Sequence, residues 1–253
     1  MQSGIVFPIS ASLNNPEKPV ATKRVVLLGM LFVTCLVVSN LTAFKVAEIH
    51  LTSQFSIQFP AALAFFPLTY LFDDILTEVY GFKMSRLIIW GGLLCSAIVT
   101  LCTTIAVYLP SSPIWDENTH QGSVAYAMIF TGSLRVFIAS MVAYFTGEFI
   151  NSILLAKLKV VTSGHYFPLR VLCSTALGAG IDSILFCNIA FWHVLPFYFI
   201  WRMILTLYIF KLAYELIMLP VTWFITTYLK NADKIDFYDI KTRFNPFSLS
   251  MAE

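Results

Sequence analysis

FPLTYLFDDILTEVYGFKMSRLIIWGG, running from Phe66 to Gly92, is the stretch on which the reading of this chain turns. Most of it is apolar enough for buried helix, yet Asp73, Asp74 and Glu78 lie inside it with no loop-forming residues around them. Such carboxylates mark either a helix end in water or an interior built to hold charge, so the solvent of that helix has to be settled first. Of the 253 residues, 58% are hydrophobic and 12% charged, where soluble domains carry about 25% charged residues. A soluble fold of this length could not cover so much apolar side chain. A bilayer supplies the missing solvent, each span taking about 20 apolar residues. The net charge of +2 is too small to indicate a nucleic-acid partner. Cys35, Cys95, Cys102, Cys173 and Cys187 are scattered through apolar segments without CxxC or Cys/His spacing. They read as small buried hydrophobes, with no disulfide, metal or other cofactor implied.

Six hydrophobic segments stand out, near Val25–Phe44, Ser56–Thr77, Leu87–Leu109, Val124–Gly147, Leu169–Phe191 and Trp201–Leu229. The expected fold is an all-α integral membrane protein, a bundle of six transmembrane helices over residues 24–229. A polar segment (1–23) precedes it and a tail (230–253) follows. Pro60 and Pro67 interrupt the second segment, which is expected to be kinked or re-entrant where protein or water covers the freed backbone. Pro220 is expected to bend or tilt the long sixth. Lys23 and Arg24 ahead of the first span read as an uncleaved signal anchor.

The basic residues set the orientation. With both termini cytoplasmic, that side holds Lys18, Lys23, Arg24, Lys83, Arg86, Lys157, Lys159, Arg170, Lys230, Lys234, Lys241 and Arg243, which is 12 of the 16. The outer side holds Lys45 and Arg202, while Arg135 and Lys211 fall inside spans. This asymmetry is the positive-inside rule.

At 1.5 Å per helical residue, Arg135, Asp182, Lys211 and Glu215 all fall roughly 15–21 Å from a span end, near the middle of a core about 30 Å thick. A charge there costs about 2.5–3.5 kcal/mol or more, so these four must face one another or a wet cavity. Lys211 and Glu215, at i and i+4, can satisfy each other on one helix or serve a ligand. Arg135 and Asp182 are each alone on their helices; pairing with each other across helices is one reading, and a functional role is the favoured one. Asp74, Glu78 and Glu148 form a second layer toward the cytoplasm, with Arg86 and Arg170 at hand. Asp74 and Glu78 repel each other at i, i+4 and oppose the dipole of a helix ending at Gly81. A partner must offset that cost, either a ligand on the substrate path or a helix-clamping pair such as Asp74–Arg86. Headgroup water is the alternative reading for Glu78 and the preferred one for Asp73.

Together with SNLTAFKVAEI (Ser39–Ile49), RVFIASMVAYFTGEFINSILLAKLK (Arg135–Lys159), LRVLCSTALGAGIDSILFCNIAF (Leu169–Phe191), KLAYELIMLP (Lys211–Pro220) and the tail DFYDIKTRFNPF (Asp236–Phe247), the opening stretch resembles the queuosine precursor transporters, formerly grouped as vitamin uptake transporters. The likeness covers nearly the whole chain, and FPLTYLFDDILTEVYG carries most of its specificity. At Glu148 many members have Gln. The resemblance implies a six-helix bacterial inner-membrane importer of 7-deazaguanine bases (7-cyano-7-deazaguanine, 7-aminomethyl-7-deazaguanine or queuine) used for queuosine in tRNA. The implied partners are thus a small nucleobase-like molecule and the lipid bilayer, with homo-oligomer formation left open.

The residues suit that substrate class. A guanine-like edge offers two adjacent donors, which one carboxylate accepts together. Asp182, in LGAGIDS, is the first candidate, with Gly178 and Gly180 expected to leave room for a flat ring. Asp74, Glu78, Glu148 and Glu215 are further acids for the path, and Arg135 or Lys211 can donate to a base carbonyl. An enzyme is not expected: all four histidines fall at or beyond span ends, and no HExxH is present. The competing expectation is a substrate-binding component that borrows a separate ATPase module, because the chain has no phosphate-binding loop of its own.

Overall fold

The computed structural model describes residues 22–43, 45–52, 55–119, 121–130, 134–240 and 242–248. The N-terminal segment up to residue 21, including Lys18, and also Lys241 lie outside the described residues. Helix α1 (Lys23–Thr42) opens on Thr22, whose hydroxyl accepts the Val25 N–H at 3.3 Å. An antiparallel hairpin of β1 (Val46–Thr52) and β2 (Phe55–Pro60) follows, with Ala47 opposite Phe59 and Ile49 opposite Ile57. A 3-10 turn (Ala61–Ala64) leads to α2 (Pro67–Tyr80) and α3 (Phe82–Tyr108). Short helices α4 (Pro113–Asn118) and α5 (Gly122–Phe130) precede α6 (Leu134–Val161), α7 (Phe167–Phe191) and α8 (Phe197–Asp233).

Five of these helices are long and apolar enough to cross a bilayer: α1, α3, α6, α7 and α8. The fold is therefore helical and multi-pass, but not purely α. The expected second span, Ser56–Thr77, is replaced by strand, turn and a helix of 14 residues. Two local causes account for this. FSIQFP alternates apolar and polar residues, the period of a strand, which a window average cannot see. Pro67 then takes the first-turn position, where its missing N–H costs nothing, and α2 starts there. Of the expected fourth span, Val124–Gly147, the described residues form α5 as far as Phe130 and α6 from Leu134. Pro220 lies within α8, which continues unbroken to Asp233.

The first and last long helices meet at one end of the bundle: Thr22 donates to Asp233 at 3.0 Å, and Arg24 pairs with the same carboxylate. We call this the tail end and the opposite one the hairpin end. Outward faces carry Leu27, Met30, Leu94, Leu101, Ile217 and Phe224, all exposed, as expected of lipid contact. The interior holds the polar groups instead. α2 is its axis: apart from Leu68 and Phe72, all its residues are buried. Its apolar side (Leu71, Ile75, Leu76, Val79) packs on Val25 and Leu28 of α1 and Leu229 of α8. α6 and α7 approach backbone to backbone. A Cβ on Gly147 would come within 2.7 Å of the Asp182 Cβ, and one on Gly178 within 2.8 Å of the Gly147 carbonyl oxygen.

Candidate functional site

The α2 sequence places Tyr70, Asp73, Asp74, Thr77 and Glu78 at i, i+3, i+4, i+7 and i+8, a polar stripe of helical period. α6 carries the matching stripe Glu148, Asn151, Ser152 and Lys159. The two face each other, and polar groups line the bundle in three levels from the hairpin end to the tail end.

At the hairpin end lies a cavity of about 490 Å³, counting the space at its mouth. Ser39 and Asn40 of α1, Leu63 and Phe66 ahead of α2, Ser140 of α6, Phe186 of α7 and Leu207 of α8 line it. Asp182 and Lys211 also line it, and Lys211 donates to the Asp182 carboxylate in a buried ion pair. The ammonium also stands 4.6 Å from the Phe66 ring centre and 5.8 Å from that of Tyr70, within cation–π range. Lys211 thus bonds across to α7 and leaves its i+4 neighbour Glu215 to other partners. Gly178 serves the helix crossing with Gly147, not a ring slot, and a Cβ on Gly180 would stand 3.5 Å from the Tyr208 ring.

One turn deeper, Asp73, Asp74, Glu148 and Glu215 converge, all buried. Asp73 accepts hydroxyls from Ser85 and, at 2.6 Å, from Ser152. Asn151 donates to Asp74 at 2.7 Å, and Thr69 donates to Glu148 at 3.1 Å. Glu215 faces Asp74, and Glu148 faces Asp73. The Asp74–Arg86 pair is absent: Arg86 donates instead to the Asn245 carbonyl at 3.0 Å. Asp73 is not in headgroup water; it is fully buried, and only the stripe on α2 could have shown it.

At the tail end Glu78 is held by three cations. Arg170 grips it with two bonds, 2.5 and 3.1 Å, Lys230 donates at 2.7 Å, and Lys159 lies 3.8 Å away. Two-point guanidinium–carboxylate contacts are among the strongest polar pairs. Lys159 also bonds Asp236 and the Phe237 carbonyl, both at 2.7 Å, and so fastens the chain after α8 across the bundle. That chain accepts the Phe82 N–H on Asp239 at 3.0 Å and the Trp90 indole N–H on the Pro246 carbonyl at 2.7 Å. Burial raises the Asp239 carboxyl above its ordinary range, and the Phe82 N–H and Thr242 hydroxyl act against that rise. Gly81, with φ at 84°, turns α2 into α3 here, and a Cβ would overlap the Phe237 ring at 2.3 Å.

Of the seven acids and bases singled out from sequence, the structure brings Asp182 with Lys211, Asp74 with Glu148 and Glu215, and Glu78 with Arg170. Arg135 stands apart. It is exposed at the start of α6 and donates to the carbonyls of Ile189 and Trp192 at 2.5 and 2.6 Å, capping α7. Its mid-depth placement relied on a span starting near Ser123. Asp73, Asn151, Ser152, Lys159 and Lys230 were not singled out. For α6 the signal was present in the i, i+3, i+4 spacing from Glu148.

Residues 60–225 match the family model described as "Putative vitamin uptake transporter". No curated protein and no solved structure matches the chain.

Proposed function

The chain belongs to the vitamin uptake transporter family, and from that premise we propose that this membrane transporter imports 7-deazaguanine queuosine precursors across the bacterial inner membrane. The observation that carries the reading is the Asp182–Lys211 pair in a cavity whose other lining, apart from Ser39, Asn40 and Ser140, is aliphatic and aromatic. A guanine-like edge presents N1–H and an exocyclic amine to Asp182, while Lys211 donates to the base carbonyl. Phe66, Phe186, Leu63 and Leu207 supply walls for a flat ring. Asp74 and Glu215 lie on the way out, and Glu78 with its three cations forms the inner closure.

The path has a direction. In this reading the turn and α2, which runs from the hairpin end to the tail end, together make a sixth crossing. Six crossings put the start of α1 and the end of α8 on one face, and the Thr22 and Arg24 contacts with Asp233 support that arrangement. The basic residues at that end favour it as the cytoplasmic face, with the cavity opening outward.

Liposomes containing only this protein provide the test. Saturable uptake of labelled 7-cyano-7-deazaguanine, competed by unlabelled 7-aminomethyl-7-deazaguanine or queuine and not by adenine, is expected. Binding without uptake, with uptake restored only by an added ATPase module, would make the chain a binding component. No binding of any deazaguanine would end the substrate assignment.

A further inference from the structure

We propose that the Asp73, Asp74, Glu148 and Glu215 cluster is a proton site, and that import is driven by protons passing through it. This rests on the import reading above and adds how it is powered.

The first observation is a charge imbalance. Among the described residues, no lysine or arginine lies within ion-pair distance of any of these four acids, while Lys211 is already committed to Asp182. Four ionised carboxylates at this depth would each cost about 2.5–3.5 kcal/mol or more. The second observation is a set of stranded atoms. Asp74 Oδ2, Glu148 Oε2 and Glu215 Oε1 are buried without a partner, and so are the Asn151 Oδ1 acceptor and the Tyr70 hydroxyl beside them. An ionised oxygen left this way lacks any donor. A protonated carboxyl carries its own and can pass it to the facing acid, Asp74 to Glu215 or Glu148 to Asp73. Two carboxyls that face each other hold one proton between them more readily than none.

Other occupants fit less well. The cavity is lined by Asp182 and Lys211 but by none of the four acids, so the base itself does not satisfy these oxygens. No three acidic, histidine or cysteine groups among the described residues converge as a metal ion would need. The other titratable groups facing the cluster are Tyr70 of α2, Tyr144 of α6, and Lys211 and Tyr214 of α8, the last beside Cys35 of α1.

Lys211 links the two sites. When a base takes over the oxygens of Asp182, the ammonium loses that partner; one of its N–H groups serves the base carbonyl, and Glu148 is the next carboxylate its charge reaches. Glu148 then ionises to receive it and gives its proton to the facing Asp73, beside Asp74 and Glu215. That proton leaves on the tail side, and the next one arrives through the open cavity. Each cycle thus carries base and proton inward together.

The test uses wild-type protein in liposomes with a pH dye in the lumen and the voltage clamped by potassium and valinomycin. Because 7-cyano-7-deazaguanine is uncharged, proton movement on adding it belongs to the protein. The expected result is lumen acidification in step with uptake, and accumulation of about tenfold per unit of inward pH gradient for one proton. In Glu215→Gln and Asp74→Asn, uptake should lose its response to the gradient. Uptake that only equilibrates, with no acidification, overturns the coupling and leaves import standing. Accumulation driven by a sodium gradient instead also overturns it. Absence of uptake under every gradient removes the import reading and this inference with it.

Discussion

Lys211→Met would leave the Asp182 carboxylate buried with no cation, 4% of its surface exposed. Breaking a buried ion pair from one side costs about 3–5 kcal/mol, because the surviving charge stays desolvated. For a chain of this size, 2–4 °C per kcal/mol translates that into a melting midpoint lower by roughly 6–20 °C. Asp182→Asn should cost less. The stranded ammonium still has the faces of Phe66 and Tyr70, at 4.6 and 5.8 Å, and the charge of Glu148 within reach. The double variant Asp182→Asn with Lys211→Met removes both charges, and neutral replacements of buried pairs are commonly as stable as the original. Its midpoint should return to within about 1 kcal/mol of wild type, yet it should transport nothing, since the base has lost its acceptor. Thermal unfolding in detergent, followed by loss of the monodisperse peak, and uptake in liposomes give the two readouts. Recovery of both stability and transport in the double variant would refute the reasoning and reduce the pair to a fastener between α7 and α8. An unchanged midpoint in Lys211→Met would refute the burial argument itself.

Gly178→Val should disrupt the α6–α7 crossing, lowering stability by about 1–3 kcal/mol through overpacking against the Gly147 carbonyl; the midpoint in detergent checks it. Glu78→Gln takes the shared carboxylate from Arg170, Lys159 and Lys230 at once, leaving Asp236 alone to balance the two lysines, and should cut the amount of assembled protein in the membrane several-fold, as seen by immunoblot of washed membranes. Arg135→Gln should keep transport within about twofold of wild type, since losing one helix-cap contact costs on the order of 1 kcal/mol; a complete loss would return Arg135 to the path. In a background with the native cysteines replaced, Ser112→Cys should react with an impermeant thiol reagent added to spheroplasts and Ser248→Cys should not, and the reverse pattern would invert the orientation.

Hydropathy revealed α1, α3, α7 and α8 to within a few residues because those helices meet lipid, and lipid contact demands long apolar runs. It misread Ser56–Thr77 because α2 meets almost no lipid: its neighbours are protein on every side, so it is free to be short and charged. The hairpin before it is marked by the alternation in FSIQFP, a signal of period 2 hidden inside an apolar average. Depth counting put Asp182 and Lys211 at one level, and the structure pairs them across α7 and α8. Arg135, counted from Ser123, stands instead one residue into α6 as described, on the carbonyls at the end of α7. Which acid meets which base was not readable from spacing. Lys211 chose Asp182 across helices over Glu215 on its own, and Glu78 gathered cations from α6, α7 and α8.

α2 also has a consequence for how the protein is made. Emerging from the ribosome, it carries Asp73, Asp74 and Glu78, a burden of roughly 7–10 kcal/mol against entering lipid alone. The groups that neutralise or bind them have not yet been synthesised: Ser152 lies 79 residues beyond Asp73, Arg170 lies 92 beyond Glu78, and Lys230 lies 152 beyond Glu78. α1 and α3 can enter the bilayer as soon as they are complete. The segment between them has to wait in a wet or chaperoned site at the translocon until α8 has passed. Assembly of this bundle is therefore out of order along the chain, with its central helix seated last.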